Sequence, residues 1–449
     1  MIIRMRNAIV ISSVFHAGMF ACSVSWASSP EFDFETLADT TTATPEDSTR
    51  IFNRLSGGTI RLKDGAVYVR ATAGGPNPPR SGGGYYKLKD GVLSNVFDLN
   101  SVTPSGGDGF FSAHGFFDVK ADKLVFGGAI FEDGVNTPGV YKAVDGKATT
   151  VIDATMPILD SDLVLLGVEK IQTDGDNVAF EALLSNPQTG ELSSAILAAT
   201  LDGQNFRILV DESTSFPGQD VPAFAFDGIG GFENGRLAFY AKGGQPFDPP
   251  DKLGAYTVTL DGDIELVADW DTPLDGGESE VGFFIGVAPS ITGDTVAFAS
   301  VNPDGQGIYG RDLSTGEVFT YVDDETVYPE LPGQTVTGVL EPSLDGDNLA
   351  FGAVGLDDRF PNFGFVSIMM MIDGEIHRVI GSGDMFLGRE IEFLMITSES
   401  FEGQSVAFYA RFTDGVEGVY MATLIPSPGA GAVLVSFGLL APRRRRFAC

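Results

Sequence analysis

Few residue types in this chain could carry chemistry. It has three His and two Cys in 449 residues. A zinc centre needs three or four His, Cys or carboxylate ligands, and no His-Glu-x-x-His stands in the chain. No Gly-x-Ser-x-Gly elbow is present either. His114 lies among Phe110, Phe111, Phe116 and Phe117, and His377 falls in an outer-strand position. Each reads as a packed or surface histidine, because a catalytic triad is defined by geometry and not by one residue. Carboxylates are the abundant reactive group, 61 against 28 Lys+Arg. Asp39, Asp98, Asp153, Asp211, Asp269 and Asp323 recur at one place, the end of an outer strand, and read as turn-formers bonding their own backbone. Two loops concentrate acid: Asp271, Asp275, Glu278 and Glu280 in one, Asp323, Asp324, Glu325 and Glu330 in the other. Calcium takes six to eight oxygens, so Asp271, Asp275, Glu278, Asp323, Asp324 and Glu325 are its candidate ligands, without EF-hand spacing. No other cofactor and no catalytic residue is singled out.

The elements that must position these groups come from a repeat. Val67-Tyr68-Val69, Leu124-Val125-Phe126, Val178-Ala179-Phe180, Leu237-Ala238-Phe239, Val296-Ala297-Phe298, Leu349-Ala350-Phe351 and Val406-Ala407-Phe408 recur at steps of 57, 54, 59, 59, 53 and 57 residues. Alternating Val, Phe and Tyr argue strands. Asp-Gly pairs at 90–91, 145–146, 202–203, 261–262 and 373–374 suit hairpins, which need positive φ. The strand before the motif, the motif strand, a Gly-x-Tyr strand and one ending in Val-x-Asp make four strands per unit. That is a blade of an all-β, seven-bladed propeller. The seventh unit lacks its last strand, and Glu35-Thr36-Leu37-Ala38-Asp39 near the N-terminus matches Glu265-Leu266-Val267-Ala268-Asp269. The N-terminal segment is predicted to close the ring and leave no open edge.

Thr292-Gly293-Asp294-Thr295-Val296-Ala297-Phe298, Ile308-Tyr309 and Thr315-Gly316-Glu317 resemble the repeats of TolB-type propellers. That resemblance implies a fold and no single function.

The two ends read as addresses. Residues 1–27 carry Arg4 and Arg6, an apolar stretch and Ser25-Trp26-Ala27, as a secretory signal peptide does. A lipoprotein signal at Cys22 is the alternative. Residues 426–449 run Pro426-Ser427-Pro428, an apolar segment, then Arg443, Arg444, Arg445 and Arg446. This order resembles PEP-CTERM sorting signals, departing at Ser427 from the Glu of that pattern. The resemblance implies secretion machinery and an exosortase-like processing protease as partners, and a cell-surface or extracellular address. The propeller is then residues 28–425. The ends carry six of the 28 basic residues and none of the 61 acids, so the propeller is near −39. Such charge excludes nucleic acid and anionic lipid as electrostatic partners.

Loops at 76–83, 132–138, 185–191, 245–253 and 356–365 vary most between units. Arg80, Phe247, Arg359, Phe360 and Phe363 on them are the candidate ligand contacts, since aromatic and Arg side chains stack on sugars and partner surfaces. The reading that results is an exported, non-enzymatic binding or structural module with extracellular polysaccharide or a protein as partner. The alternatives are an extracellular polysaccharide-active enzyme and a calcium-dependent glycan-binding protein.

Overall fold

A computed structural model describes residues 31–425, apart from 46–49, 75–81, 99–100, 107–108, 219–222, 244–251, 275–280, 282, 285–287, 302–304, 324, 330–333 and 358–363. Residues 1–27 and 426–449, expected to be a signal peptide and a sorting signal, lie outside the described residues. Every regular element among the described residues is a strand, and the strands form seven antiparallel sheets. These are the seven blades of a β-propeller. Blades 1 to 6 run in simple up-and-down order from the channel outward, as in blade 3 with Val164–Thr173, Asn177–Ser185, Leu192–Thr200 and Arg207–Asp211. Blade 7 holds Arg389–Met395, Ser405–Phe412 and Glu417–Ile425, and its outer strand is Glu31–Asp39. The predicted closure is therefore what the chain adopts.

The repeated motif is the second strand of each blade. Val178, Ala179 and Phe180 are fully buried, as are Leu237, Ala238 and Phe239. Both faces of such a strand pack on neighbouring blades, which is why it reads as an unbroken apolar run. Ala179, Ile196 and Ala198 of blade 3 share one core cluster with Phe226, Phe239 and Tyr256 of blade 4. In the third strand, Gly-x-Tyr folds the ring back over the glycine. A Cβ on Gly307 would stand 2.7 Å from the Tyr309 hydroxyl oxygen, closer than real Cβ contacts. The glycine is thus fixed by the tyrosine two residues on, at Gly254 and Gly418 as well as Gly307.

Apolar packing between blades is non-directional, so something else sets their register. Carboxylates at the end of the inner strands do this on the hairpin face of the ring. Asp174 Oδ2 accepts from the Gly235 N–H at 3.1 Å. Glu233 Oε2 accepts from the Gly293 N–H at 2.9 Å, and Asp345 Oδ2 from the Gly403 N–H at 2.6 Å. Glu402 accepts from the Asp64 and Gly65 N–H groups at 2.8 and 2.7 Å. Each links one blade to the first turn of the next, and Glu402 links the last blade to the first. The recurring outer-strand aspartates bond their own turns: Asp211 accepts from the Ser213 N–H at 2.9 Å, and Asp323 from the Glu325 N–H at 3.1 Å.

Two loops differ from their predicted form. Residues 132–138 are largely strand, with Glu132 opposite Val135 around an Asp133-Gly134 turn. Residues 186–191 close as a tight turn in which the Asn186 N–H donates to the Glu191 carbonyl. Deleting residues 31–39 would leave blade 7 with an open edge. A clear fall in melting temperature and self-association in sedimentation are expected; a monomer that melts unchanged would show that the ring does not need this strand.

Candidate functional site

The inner strands converge on the axis, so the residues they turn inward form stacked rings. Eight residues before the third motif residue stand Arg61, Asp118, Gln172, Gly231, Ser290, Ser343 and Ser400. Several members hand a hydrogen bond to the next blade. Asp118 Oδ2 accepts from the Thr173 N–H at 2.8 Å. Ser290 Oγ accepts from the Leu344 N–H at 3.0 Å, and Ser343 Oγ from the Phe401 N–H at 3.1 Å. Buried hydroxyls and carboxylates are tolerated there because they are satisfied.

A charged cluster occupies the side of the channel made by blades 7, 1 and 2. Arg61 Nε lies 3.3 Å from Asp118 Oδ1, both groups buried, and Arg61 Nη1 donates to its own chain at the Ile60 carbonyl. The 3.3 Å contact is an ion pair without hydrogen-bond alignment, since Nε has no hydrogen-bond partner. Lys63 pairs with buried Glu399. Burial works to raise the Glu399 carboxyl, but Lys63 and then Arg61 outweigh it and hold it below the usual carboxylate value. Burial, with Glu399 nearby, pushes the Asp118 carboxyl up against the pull of Arg61. Glu399 reaches across toward blade 4. A Cβ on Gly231 would stand 3.1 Å from Glu399 Oε1 and 2.8 Å from Ile291, so only glycine leaves this space.

Two cavities follow one another along the axis. The first, about 110 Å³, lies toward the hairpin face and is lined by Lys63, Asp118, Lys120, Gln172 and Glu399 among others. The second, about 200 Å³, lies toward the face where the inner strands begin. It is lined by Arg61, Phe116, Lys170, Gln172, Ile229, Glu341, Met395, Thr397 and Ser398, with others. Gln172 borders both, is 3 % exposed, and its Oε1 has no hydrogen-bond partner. A buried acceptor left open is costly unless something donates to it.

Glu341 is the unusual residue of the second cavity. It sits in a bulge between Leu340 and Ser343, where the inner strand of blade 6 slips against its neighbour. Its φ is 53°. A non-glycine residue pays strain there, and such strain concentrates at functional sites. Burial pushes the Glu341 carboxyl up to about 7, against the pull of Lys170 and then Arg61. The carboxyl thus keeps its proton up to neutral pH while two cations face it. That combination suits proton transfer.

None of these residues was singled out in the sequence. The signal available was charge inside otherwise apolar strands, Arg61 and Lys63 in Ile60–Lys63 and Asp118 and Lys120 in Phe117–Lys120, at fixed distance from the motif. The candidate ligand contacts Arg80, Phe247, Arg359, Phe360 and Phe363 lie outside the described residues, as do Asp275, Glu278 and Asp324. Asp271 and Glu325 are exposed, and Asp323 is engaged in its own turn. Among the described residues no three His, Cys, Asp or Glu side chains gather as a metal site. His377 is buried in the outer strand of blade 6, opposite Met370.

No protein-family model matches the chain, and no curated protein matches it. Solved structures do. An oligogalacturonate lyase in complex with manganese is 15% identical with a TM-score of 0.47, over 89% of this chain and 99% of that one. An acylaminoacyl peptidase is 12% identical with a TM-score of 0.47, over 86% of this chain and 54% of that one. TolB from Acinetobacter baumannii is 14% identical with a TM-score of 0.33, over 82% and 79%. The chain is a β-propeller with such neighbours. The expectation of a non-enzymatic module is corrected to this extent: propellers similar to this chain include a lyase and a peptidase. At these identities the likeness is one of fold and carries no activity across to this chain.

The Glu341 carboxyl gives a pH prediction. Its value near 7 lies above the unfolded one, about 4.3. Between those values the folded state holds a proton that the unfolded chain has released, so this group's contribution to stability is lost as pH rises toward 7. Urea unfolding of the parent and Glu341→Gln at pH 4.5 and 8 should show the variant gaining on the parent at pH 8. A difference independent of pH would place the carboxyl at an ordinary value.

Proposed function

We propose that the protein is an exported polysaccharide-active enzyme whose reaction centre is the second cavity of the channel, with Glu341 as the acid–base group. The observation that carries this reading is Glu341 itself, a strained, half-buried carboxyl protonated near neutral pH beside Lys170 and Arg61. A general acid works best when its pKa is close to the working pH. As the proton leaves for the substrate, negative charge develops on the Glu341 carboxylate, and the two cations that face it are placed to stabilise that charge. Gln172 Oε1 supports a hydroxyl-rich substrate, because a sugar hydroxyl supplies the donor that this buried acceptor lacks. At about 200 Å³ the cavity takes a single sugar unit, so action at chain ends is implied.

The test is product release from a panel of neutral and acidic polysaccharides, read as new chain ends. Glu341→Gln, checked for folding by circular dichroism, should lower the rate about 100-fold or more. Absence of product from every polymer, or a variant as active as the parent, would end the proposal.

The export reading of residues 1–27 and the sorting reading of 426–449 belong to the same proposal. Replacing Arg443–Arg446 by Gln should leave the tail unprocessed and the protein held at the membrane in the producing cell. Unchanged processing and location would remove the sorting role.

A further inference from the structure

Arginines are scarce in this acidic ring, and among the described residues almost all find an oxygen. Arg50 and Arg311 donate to backbone carbonyls. Six others, from Arg61 to Arg411, lie 3.9 Å or less from a carboxylate. Arg54 and Arg70 are the exceptions. Neither has a hydrogen bond or an ion pair among the described residues, and the buried Arg70 Nε is without a partner. They are also neighbours. Arg54 is opposite Thr72 in the first two strands of blade 1, and Arg70 stands two residues before Thr72 on the same face. Tyr85, cross-strand from Arg70, is fully buried with an unpartnered hydroxyl.

The two guanidiniums line one cavity of about 190 Å³ with Ser56, Ala71 and Thr72. Burial disfavours the Arg70 charge, Tyr85 supports it, and the nearby Arg54, itself exposed, disfavours it, with a net lowering. Two like charges facing one space, without an acid to offset them, are unfavourable in a protein that has 61 carboxylates to spend on pairing. A doubly charged anion in the cavity removes that penalty, and guanidiniums bind oxyanions through paired N–H donors. Ser56 adds a hydroxyl donor; the Thr72 hydroxyl is already engaged with Asn53 Oδ1 at 2.7 Å.

We propose that the cavity holding Arg54 and Arg70 is a binding site for a tetrahedral oxyanion, sulfate or phosphate, free or as an ester on a sugar. This site is on blade 1 and shares no residue with the channel cavities. It stands whether or not the channel is catalytic.

Calorimetric titration of the propeller with sodium sulfate and with sodium phosphate, at ionic strength held constant with chloride, tests it. Saturable binding of at least one is expected, with a matching rise in melting temperature. Arg54→Gln and Arg70→Gln should each weaken it at least 10-fold, while Arg50→Gln and Glu341→Gln should leave it unchanged. In chloride alone, Arg70→Gln should melt no lower than the parent, since it relieves repulsion. A sugar sulfate that competes with the inorganic ion would make the ligand an ester; binding of the inorganic ion alone would make it the free anion. No saturable response beyond chloride, or a response that both arginine variants retain, overturns the proposal.

Discussion

The structure depends on hydrogen bonds passed from each blade to the next around the axis. A four-stranded blade cannot bury its two apolar faces without its neighbours, and apolar contact between blades would permit many relative angles. The inner strands remove that freedom. Carboxylates at Asp174, Glu233, Asp345 and Glu402 catch the first turn of the following blade, and Asp118, Ser290 and Ser343 catch its inner strand. The closing seam carries the densest set. There the Leu62 N–H donates to the Glu399 carbonyl, Thr397 Oγ1 donates to the Ile60 carbonyl, and Lys63 pairs with Glu399. The chain runs from Glu31–Asp39 of blade 7 on into Ile51–Lys63 of blade 1, so the break in the ring lies inside blade 7, between Glu417–Ile425 and Glu31–Asp39, where strand pairing does what chain continuity does in the other blades.

This constraint also bears on the make-up of the channel wall. Asp118, Ser290 and Ser343 accept a hydrogen bond from the next blade, but the same ring position holds Arg61, Gln172 and Gly231 in other blades, so the channel wall differs from blade to blade. Arg61, Lys170, Gln172, Gly231 and Glu341 are five different answers at the channel wall. Burying a charge cluster is costly unless it is paired, and removing one partner of a buried pair costs about 3–5 kcal/mol. The Lys63–Glu399 and Arg61–Asp118 pairs therefore hold the walls of the cavities in place. Glu341 is tied to no partner in this way, which leaves its proton available.

The fold was readable because it is written seven times. Val-Ala-Phe, Gly-x-Tyr and Asp-Gly recur with one spacing, and the match of Glu35–Asp39 to Glu265–Asp269 revealed the closure. The site was not readable for the opposite reason. Ligand-facing residues are what the repeats do not share, so Gln172 and Glu341 look like noise around a motif. Glu341 adds a second obstacle, because a bulge turns it into the channel, and a bulge is set by how two strands slip against each other and not by the residue's own type. The aspartates ending the outer strands were legible as turns, since an Asx turn is a local interaction between near neighbours.

The borrowed strand of blade 7 has a consequence in time. Of the described strands, Glu31–Asp39 is made first, yet its partner, Glu417–Ile425, is made last. Until the chain is nearly complete, the opening segment has no sheet to join. The entropy of joining ends so distant grows only slowly with length, about 0.6 kcal/mol per doubling, so the delay costs little once the partner exists. Topology thus works as a clock: the ring cannot shut on a partial chain, and that delay comes from strand order alone.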